Sequence, residues 1–408
     1  MTVHDVVIVG AGAAGIAATR ALIASNLSVL TLEARDRVGG RAWTVPMRGH
    51  MIDLGAHWLH SGQRNPLVAL GLERDEPLRL APRGRHAFAN GRPLPARQAI
   101  EAGSGWEKVT RALGRAARSG PDRSAAEDLP LLGPYRRRTL AVHGLVCGRP
   151  LEEASLKDFV AAQDEDDANW FIAGGYGAYL HRLANNLPIQ TGVTVQAIDH
   201  GAKTIKLTTS AGEIAARTVL VTMPVMVLQA GGVRFTPELP AATGDALGSF
   251  LAGSYEHVVL HWPNAPFHGA DRLAGLVGGR YDRFGMMTRI DGSAFHYFEL
   301  DHPTLNGLRP GSAAQLARDA MKDQFGARSI GDLTVQHVTD WRHDPFSLGS
   351  WSVVAAGRYG ARQALAEAVD QRLWFAGEAT SAKQWGTAGG AWEEGTRAAA
   401  EIVAALVK

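Results

Sequence analysis

Hydrophobic and polar positions run along this chain in blocks whose period changes. Val6-Val7-Ile8-Val9 is a short unbroken apolar run, the pattern of a strand buried on both faces of a parallel sheet. It gives way at Gly10-Ala11-Gly12-Ala13-Ala14-Gly15 to a helical pattern carrying Ile16, Arg20, Leu22 and Ile23 and ending near Asn26. A second strand, 28–32, closes the unit at Glu33. Later, Leu180, Leu183 and Leu187 predict an amphipathic helix after the turn Gly174-Gly175-Tyr176. Strand patterns follow at 193–198, 204–209 and 217–222, the last ended by Met223-Pro224. A buried strand is predicted at Leu373-Trp374-Phe375, and a final helix over 392–406. Between 77 and 173 arginine is frequent and helix formers cluster, so this stretch reads as an inserted, mainly helical region.

Composition narrows the function classes. With 42 Lys plus Arg against 40 Asp plus Glu, the formal net charge is +2, and 46% of residues are hydrophobic. That balance excludes intrinsic disorder and speaks against a nucleic-acid binder. Glycine stands out at 47 of 408 residues, about 11.5% against roughly 7% on average, which implies close approach of backbone to something else. Cys147 is the only cysteine, so an intrachain disulfide and a cysteine-based metal cluster are both excluded, and a buried thiol is expected. No apolar run approaches the roughly 20 residues of a membrane span, and no signal peptide is read at the N-terminus, so a cytoplasmic protein with no membrane partner is expected. Arg136-Arg137-Arg138 reads as a solvated helix face. The acidic residues Glu152, Glu153, Asp158, Asp164, Glu165, Asp166 and Asp167 read as surface helix ends and a loop, or as a field that attracts a polycation.

The first unit carries chemistry in its spacing. In a strand–turn–helix–strand–acid order, Gly10 makes the tight turn, Gly12 lets a diphosphate approach, and Gly15 permits helix–strand packing. The diphosphate then meets the free N–H groups at the helix N-terminus, and Glu33 accepts ribose hydroxyls. This predicts a dinucleotide but does not separate FAD from NAD.

The next residues do. Arg37-Val38-Gly39-Gly40-Arg41-Ala42-Trp43-Thr44 adds a second glycine pair flanked by arginines, and here the chain resembles the flavin-containing amine oxidase family. The resemblance implies FAD, with Arg41 at the pyrophosphate and Ala14, Ala34, Arg35, Gly39 and Gly40 beside the cofactor. Asp53-Leu54-Gly55-Ala56-His57-Trp58-Leu59-His60 is similar to the loop that lies against the flavin, in the version most like the polyamine-oxidase branch. It implies cofactor contacts at Gly55, Ala56, His57 and Trp58, and substrate contacts at His57 and His60. Val195 matches the strand that returns to the FAD adenine edge. Tyr255-Glu256-His257-Val258-Val259-Leu260-His261 resembles the family strand whose lysine holds a water against the flavin, but this chain has His257 there. Oxygen reactivity is therefore left open.

Trp341-Arg342-His343-Asp344-Pro345-Phe346-Ser347-Leu348-Gly349-Ser350-Trp351 resembles the loop before the last FAD segment. Ser350 stands where some members have a flavin-linking cysteine, so non-covalent FAD is implied. Trp341 is implied as a cofactor contact and Trp351 as one wall of an aromatic cage. Gly377-Glu378 and 385–391 complete the resemblance: Gly377, Glu378, Gly386, Thr387 and Ala388 at the flavin, Thr387 in the second cage position, and Trp385 as a replacement aromatic surface.

The implied fold is α/β: a Rossmann-like, doubly wound FAD-binding domain from 1–76, 175–246 and 344–408, with a second α+β domain from 77–174 and 247–343. The implied reaction is FAD-dependent oxidation of a C–N bond in a di- or polyamine or related secondary amine. Hydride passes to flavin N5, the imine hydrolyses, and O2 or another electron acceptor reoxidises the flavin. His257, Trp351 and His57 are the expected catalytic residues. No metal, carboxylate pair or nucleophile triad is called for. A dehydrogenase or desaturase using another acceptor, and a flavin-binding protein without catalysis, stand as alternatives; the oligomeric state is not legible.

Overall fold

The structure, a computed structural model, describes residues 2–82, 85–162 and 168–407. Two large sheets organise it. The first has eight strands, in the order Arg234–Thr236, Val195–Asp199, Ile205–Thr209, Gly212–Val221, Val3–Val9, Val29–Leu32 and Ile189–Gln190, with Leu373–Phe375 pairing the second half of Gly212–Val221. Val3–Val9 lies parallel to both of its neighbours. Its unbroken apolar run has a physical reason. Val7 and Val9 pack into one cluster with Val219 and Phe375, while Val6 and Ile8 face the opposite cluster with Ala18, Ala398 and Ile402.

That second cluster is roofed by the helices Ala13–Ile23 and Ala388–Val407. Their approach requires glycine: a Cβ at Gly395 would lie 2.1 Å from the Ala14 carbonyl oxygen. The last helix begins at Ala388, four residues before the expected start, so Gly389 and Gly390 belong to the helix and not to the preceding turn. The hydroxyl of Thr387 explains the earlier start, because it accepts from Gly390 N–H at 2.9 Å and satisfies a first-turn donor.

The second sheet has seven strands, in the order Thr334–Val338, Tyr255–His261, Phe295–Asp301, Gly285–Thr288, Arg272–Leu276, Arg85–Ala89 and Arg92–Pro93. Strand alternation divides its residues cleanly. Val258, Leu260, Ala274, Met286, Phe298 and Leu300 join the cluster under helix Ala313–Phe325. The alternate positions point the other way, toward the cavity described below.

Three expectations are corrected here. The 77–173 region is not only helical: Arg85–Ala89 and Arg92–Pro93 extend the second sheet, while Leu78–Leu80 pairs with Trp170–Ile172. Helices Ala96–Ala116, Arg136–Cys147 and Leu156–Ala161 lie between. Arg138 is not solvated. It is buried, and its Nη1 donates to the Leu276 carbonyl at 2.8 Å, whereas Arg137 stays exposed and pairs with Asp282. Asp158 is likewise not part of a surface field; it is buried in a bidentate pair with Arg362, at 2.8 and 3.0 Å. Asp164, Glu165, Asp166 and Asp167 lie outside the described residues. Among the described residues no helix is long and apolar enough to cross a membrane.

Candidate active site

A cavity of about 640 Å³ runs between the two sheets. At one end, strand Val3–Val9 stops at Gly10 and the chain turns into helix Ala13–Ile23, which has no side-chain cap. A Cβ at Gly15 would lie 1.9 Å from the Gly10 carbonyl oxygen, whereas one at Gly12 would meet nothing within 4 Å. Gly15 therefore serves the fold, and Gly12 leaves open space above uncapped helix N–H groups, where a diphosphate is favoured. Glu33, at the end of the second strand, is buried and already ordered: Oε2 accepts from Ala11 N–H at 2.8 Å and Oε1 from Arg35 N–H at 2.9 Å. Its remaining lone pairs face the cavity that a ribose fits. Arg35 is fixed beside it by Asp344 (3.0 and 2.7 Å) and Ser347, with Phe346 under the guanidinium at 5.2 Å.

Farther along, Arg41 spans the cavity to Glu378 (3.2 Å) and the Ser350 carbonyl (2.9 Å). Glu378 is held from its own side by Ser352 N–H and Oγ and by Gly386 N–H. Ser350 Oγ, His257 Nε2 and Tyr297 OH are buried on residues that line the cavity, with no hydrogen-bond partner among the described residues. Such atoms are costly unless a ligand or water satisfies them. The glycine cradle, the ordered acid and the orphaned polar atoms together fit an elongated dinucleotide with a polar ring system.

The second sheet supplies the opposite wall. His257 pairs across strands with Glu299, and Val259 with Tyr297, so the cavity-facing set is Tyr255, His257, Tyr297 and Glu299, continued by Met287 and Leu273. His257 is buried, its ring 4.4 Å from that of Tyr297. Burial, with His57 and His337 nearby, pushes its pKa down to about 3, so the imidazole is neutral at ordinary pH. His57 is held from Asp53, whose Oδ2 lies 2.8 Å from Nδ1; Asp53 also accepts from Thr44 and from Tyr176 N–H. Among the described residues His57 Nε2 has no hydrogen-bond partner; it lies 3.9 Å from Asp271, itself paired with Arg79. Trp351 and Tyr255 stand 5.7 Å apart at 33°, and Trp351 Nε1 is fixed on the Cys147 carbonyl at 2.9 Å. Cys147 itself is fully buried, its thiol pushed up to about 12 by burial.

Every sequence-predicted site residue except Gly15 lines this one cavity. His60 is exposed, stacked on Trp58 at 5.8 Å, rather than a core histidine. Val195 lies with Val193 and Thr194 on the same wall. Trp385 is buried and anchored by Nε1 to the Asp158 carbonyl (3.1 Å). Thr387 faces the cavity but spends its hydroxyl on the start of the last helix. Sequence reasoning missed Glu299, Tyr297, Met287, Leu273 and Trp106. For the first four the only local signal is strand alternation, which shows that they share a face but not what that face meets, whereas Trp106 comes from the helix Ala96–Ala116.

The family profile described as flavin containing amine oxidoreductase matches residues 13–130 and 97–403. Among curated relatives, the Arabidopsis thaliana "Lysine-specific histone demethylase 1 homolog 1" is 30% identical over 98% of this chain and 52% of its own length. The human "Lysine-specific histone demethylase 2" is 27% identical over 98% of this chain and 53% of its own. The chain thus spans about half the length of the curated relatives it matches. A solved structure of a putrescine oxidase with putrescine bound superposes with a TM-score of 0.82 at 17% identity, covering 99% of each chain. The fold is therefore that of these oxidases. Ser350 at the family's attachment position leaves FAD non-covalently held, and with a family match over most of its length the chain belongs to the flavin-containing amine oxidoreductases, as an FAD-dependent enzyme.

Proposed function

We propose that this chain oxidises a carbon–nitrogen bond in a small di- or polyamine, or a related secondary amine, with O2 as the acceptor. The observation that carries the reading is Glu299, a carboxylate in the cavity wall directly across the strand pair from His257. An anion at that place suits a second, unreacting ammonium. The rings of Trp351 and Tyr255 offer π-faces to the alkyl chain and to cationic nitrogen. FAD, when bound, accepts the hydride equivalent from the α-carbon. The protein must present a neutral amine, and Asp53 orients His57 so that Nε2 can take the ammonium proton. His257, neutral and with one ring nitrogen unpartnered, is suited to hold a water in the cavity. In the same reading, the segments 1–76, 175–246 and 344–408 form the cofactor domain, and the remainder forms the substrate domain.

The test is anaerobic bleaching of the flavin by a panel of an α,ω-diamine, a monoamine of equal length, an N-methyl-lysine peptide and an unsaturated hydrocarbon. The expected result is bleaching by the diamine well ahead of the monoamine. Glu299→Gln should weaken diamine use by about tenfold or more, as loss of one partner of a buried charge pair does. Bleaching by the peptide alone, or by the hydrocarbon alone, overturns the substrate assignment. Admitting air then tests the acceptor: slow peroxide formation after fast bleaching counts against O2.

A further inference from the structure

Arg362 and Asp158 form a buried ion pair one layer behind the cavity wall that carries Trp385 and Glu378. Arg362 stands in the first turn of the C-terminal helix Ala361–Ala366, and Asp158 on helix Leu156–Ala161 of the inserted region. The contact is bidentate: Nε donates to Oδ1 at 2.8 Å and Nη2 to Oδ2 at 3.0 Å. Arg362 makes three further bonds, from Nη1 to Ser352 Oγ (3.0 Å) and the Ala379 carbonyl (3.2 Å), and from Nη2 to the Ser352 carbonyl (3.1 Å). A guanidinium has five N–H donors in a fixed fork, and five bonds use them. Desolvation offsets most of the Coulomb attraction of such a pair, so its net effect on stability is small compared with an apolar replacement. What the fork fixes is direction.

Two branches run from this pair to the cavity. In the first, the Ser352 hydroxyl accepts from Arg362, which can only donate, so its own proton turns to Glu378 Oε2 at 2.8 Å. Glu378 also accepts from Ser352 N–H and Gly386 N–H, both at 3.1 Å, and its Oε1 meets Arg41 at 3.2 Å. Orientation is thereby passed from Asp158 through Arg362, Ser352 and Glu378 to Arg41, which spans the cavity. In the second branch the guanidinium carbon lies 4.8 Å from the Trp385 ring centroid, while Trp385 Nε1 donates to the Asp158 carbonyl at 3.1 Å. Both partners of the ion pair therefore hold the indole that forms part of the cavity wall.

We propose that Arg362 is a positioning residue that sets, from one buried point, both the carboxylate that holds Arg41 in the FAD site and the indole face of the amine cavity. The cofactor half stands on the FAD site alone, and the substrate half rests on the amine reading above. FAD affinity and amine affinity then fall together when Arg362 loses its fork, although it acts on each only through Ser352 or Trp385. Arg362→Lys keeps the charge but cannot make the five bonds. Ser352→Ala cuts the first branch, and Trp385→Phe removes the Nε1 bond of the second. Each of these last two leaves the ion pair in place.

The test measures the FAD Kd of the flavin-free protein by flavin fluorescence, and KM and kcat for 1,4-diaminobutane in the FAD-loaded protein. Arg362→Lys should raise both Kd and KM by about tenfold, as loss of a hydrogen bond to a charged group does, with a smaller change in kcat. Ser352→Ala should raise the FAD Kd more than KM, and Trp385→Phe should raise KM more than the FAD Kd. A merely structural role lowers the melting temperature and the yield of folded protein but leaves Kd and KM of the folded fraction unchanged, and that outcome overturns the proposal. So does a Ser352→Ala or Trp385→Phe variant in which Kd and KM move in equal proportion. If Arg362→Lys does not fold, those two variants decide. Failure of the amine reading looks different: 1,4-diaminobutane then does not bleach the flavin of the unaltered protein, and the FAD Kd of Arg362→Lys and Ser352→Ala alone upholds or overturns the assignment.

Discussion

Glu256 sits next to His257 but faces away from the cavity, and it is almost wholly buried. Its Oε1 accepts from Arg342 N–H at 3.0 Å, while Oε2 has no partner among the described residues. Burial pushes its carboxyl up to about 7 from an ordinary value near 4.5. A raised carboxyl favours the folded protein fully below pH 4.5, and the contribution fades as pH rises through 7. Its size is on the order of 3 kcal/mol. Between pH 5 and 8 the unaltered protein should therefore lose thermal stability relative to Glu256→Gln; parallel melting curves across that range would rule out the assignment. The residue scale is also where the sequence was least legible. His57 and His257 announced themselves through motifs, but Glu299 is chemically informative only because register sets it opposite His257. Arg138 was misread because a run of three arginines carries no sign that the third turns inward.

The glycines decide matters one level up. Gly10, Gly12 and Gly15 look alike in a motif, yet their surroundings divide the work. Gly15→Ala drives a Cβ into the Gly10 carbonyl and should destabilise the fold by about 1–3 kcal/mol, the usual range for overpacking. Gly12→Ala meets no protein atom within 4 Å, so melting of the FAD-free protein should change little while FAD affinity falls. Comparing FAD-free melting temperature with flavin retention for each variant checks this, and equal losses of stability in both would refute the division. Strands and helices of the first sheet were readable because their apolar runs are local. The start of the last helix was not, since Gly389 and Gly390 resemble a turn in sequence. They must be glycine because Asn65 and Gln384 press where their side chains would be, with a Cβ at Gly390 only 2.1 Å from the Gln384 carbonyl, while Thr387 accepting from Gly390 N–H starts the helix there.

Across the whole molecule, the cavity between the sheets is too large to be left to chance packing, and its walls carry buried polar atoms without protein partners. FAD completes them, so its binding is part of folding stability. Removing the flavin should lower the melting temperature, and at a free FAD concentration of about 100 Kd the difference is about 2.7 kcal/mol. For a chain of this length that is about 3 °C or somewhat more. Re-adding FAD should restore the original value, and an unchanged melting temperature in the flavin-free protein would show that the two walls hold each other without it. The general architecture could be read from sequence because each motif block marks a strand end at the cavity. The Asp158–Arg362–Ser352–Glu378 chain could not, because Asp158 and Arg362 stand 204 residues apart and meet only once the chain has folded.

The pairing of Leu373–Phe375 with Gly212–Val221 also fixes an order of events in time. The glycine turn at Gly10–Gly15 leaves the ribosome more than 350 residues before Glu378, the partner of Arg41, and the helix that packs on Ala14. Until that later segment is made the nascent chain carries a half-built cradle, with the apolar end of Gly212–Val221 waiting for Leu373–Phe375. Flavin can be captured in full only after the segment that carries Leu373–Phe375, Glu378 and the helix Ala388–Val407 has been made, which makes cofactor loading a checkpoint that reports that this segment is intact.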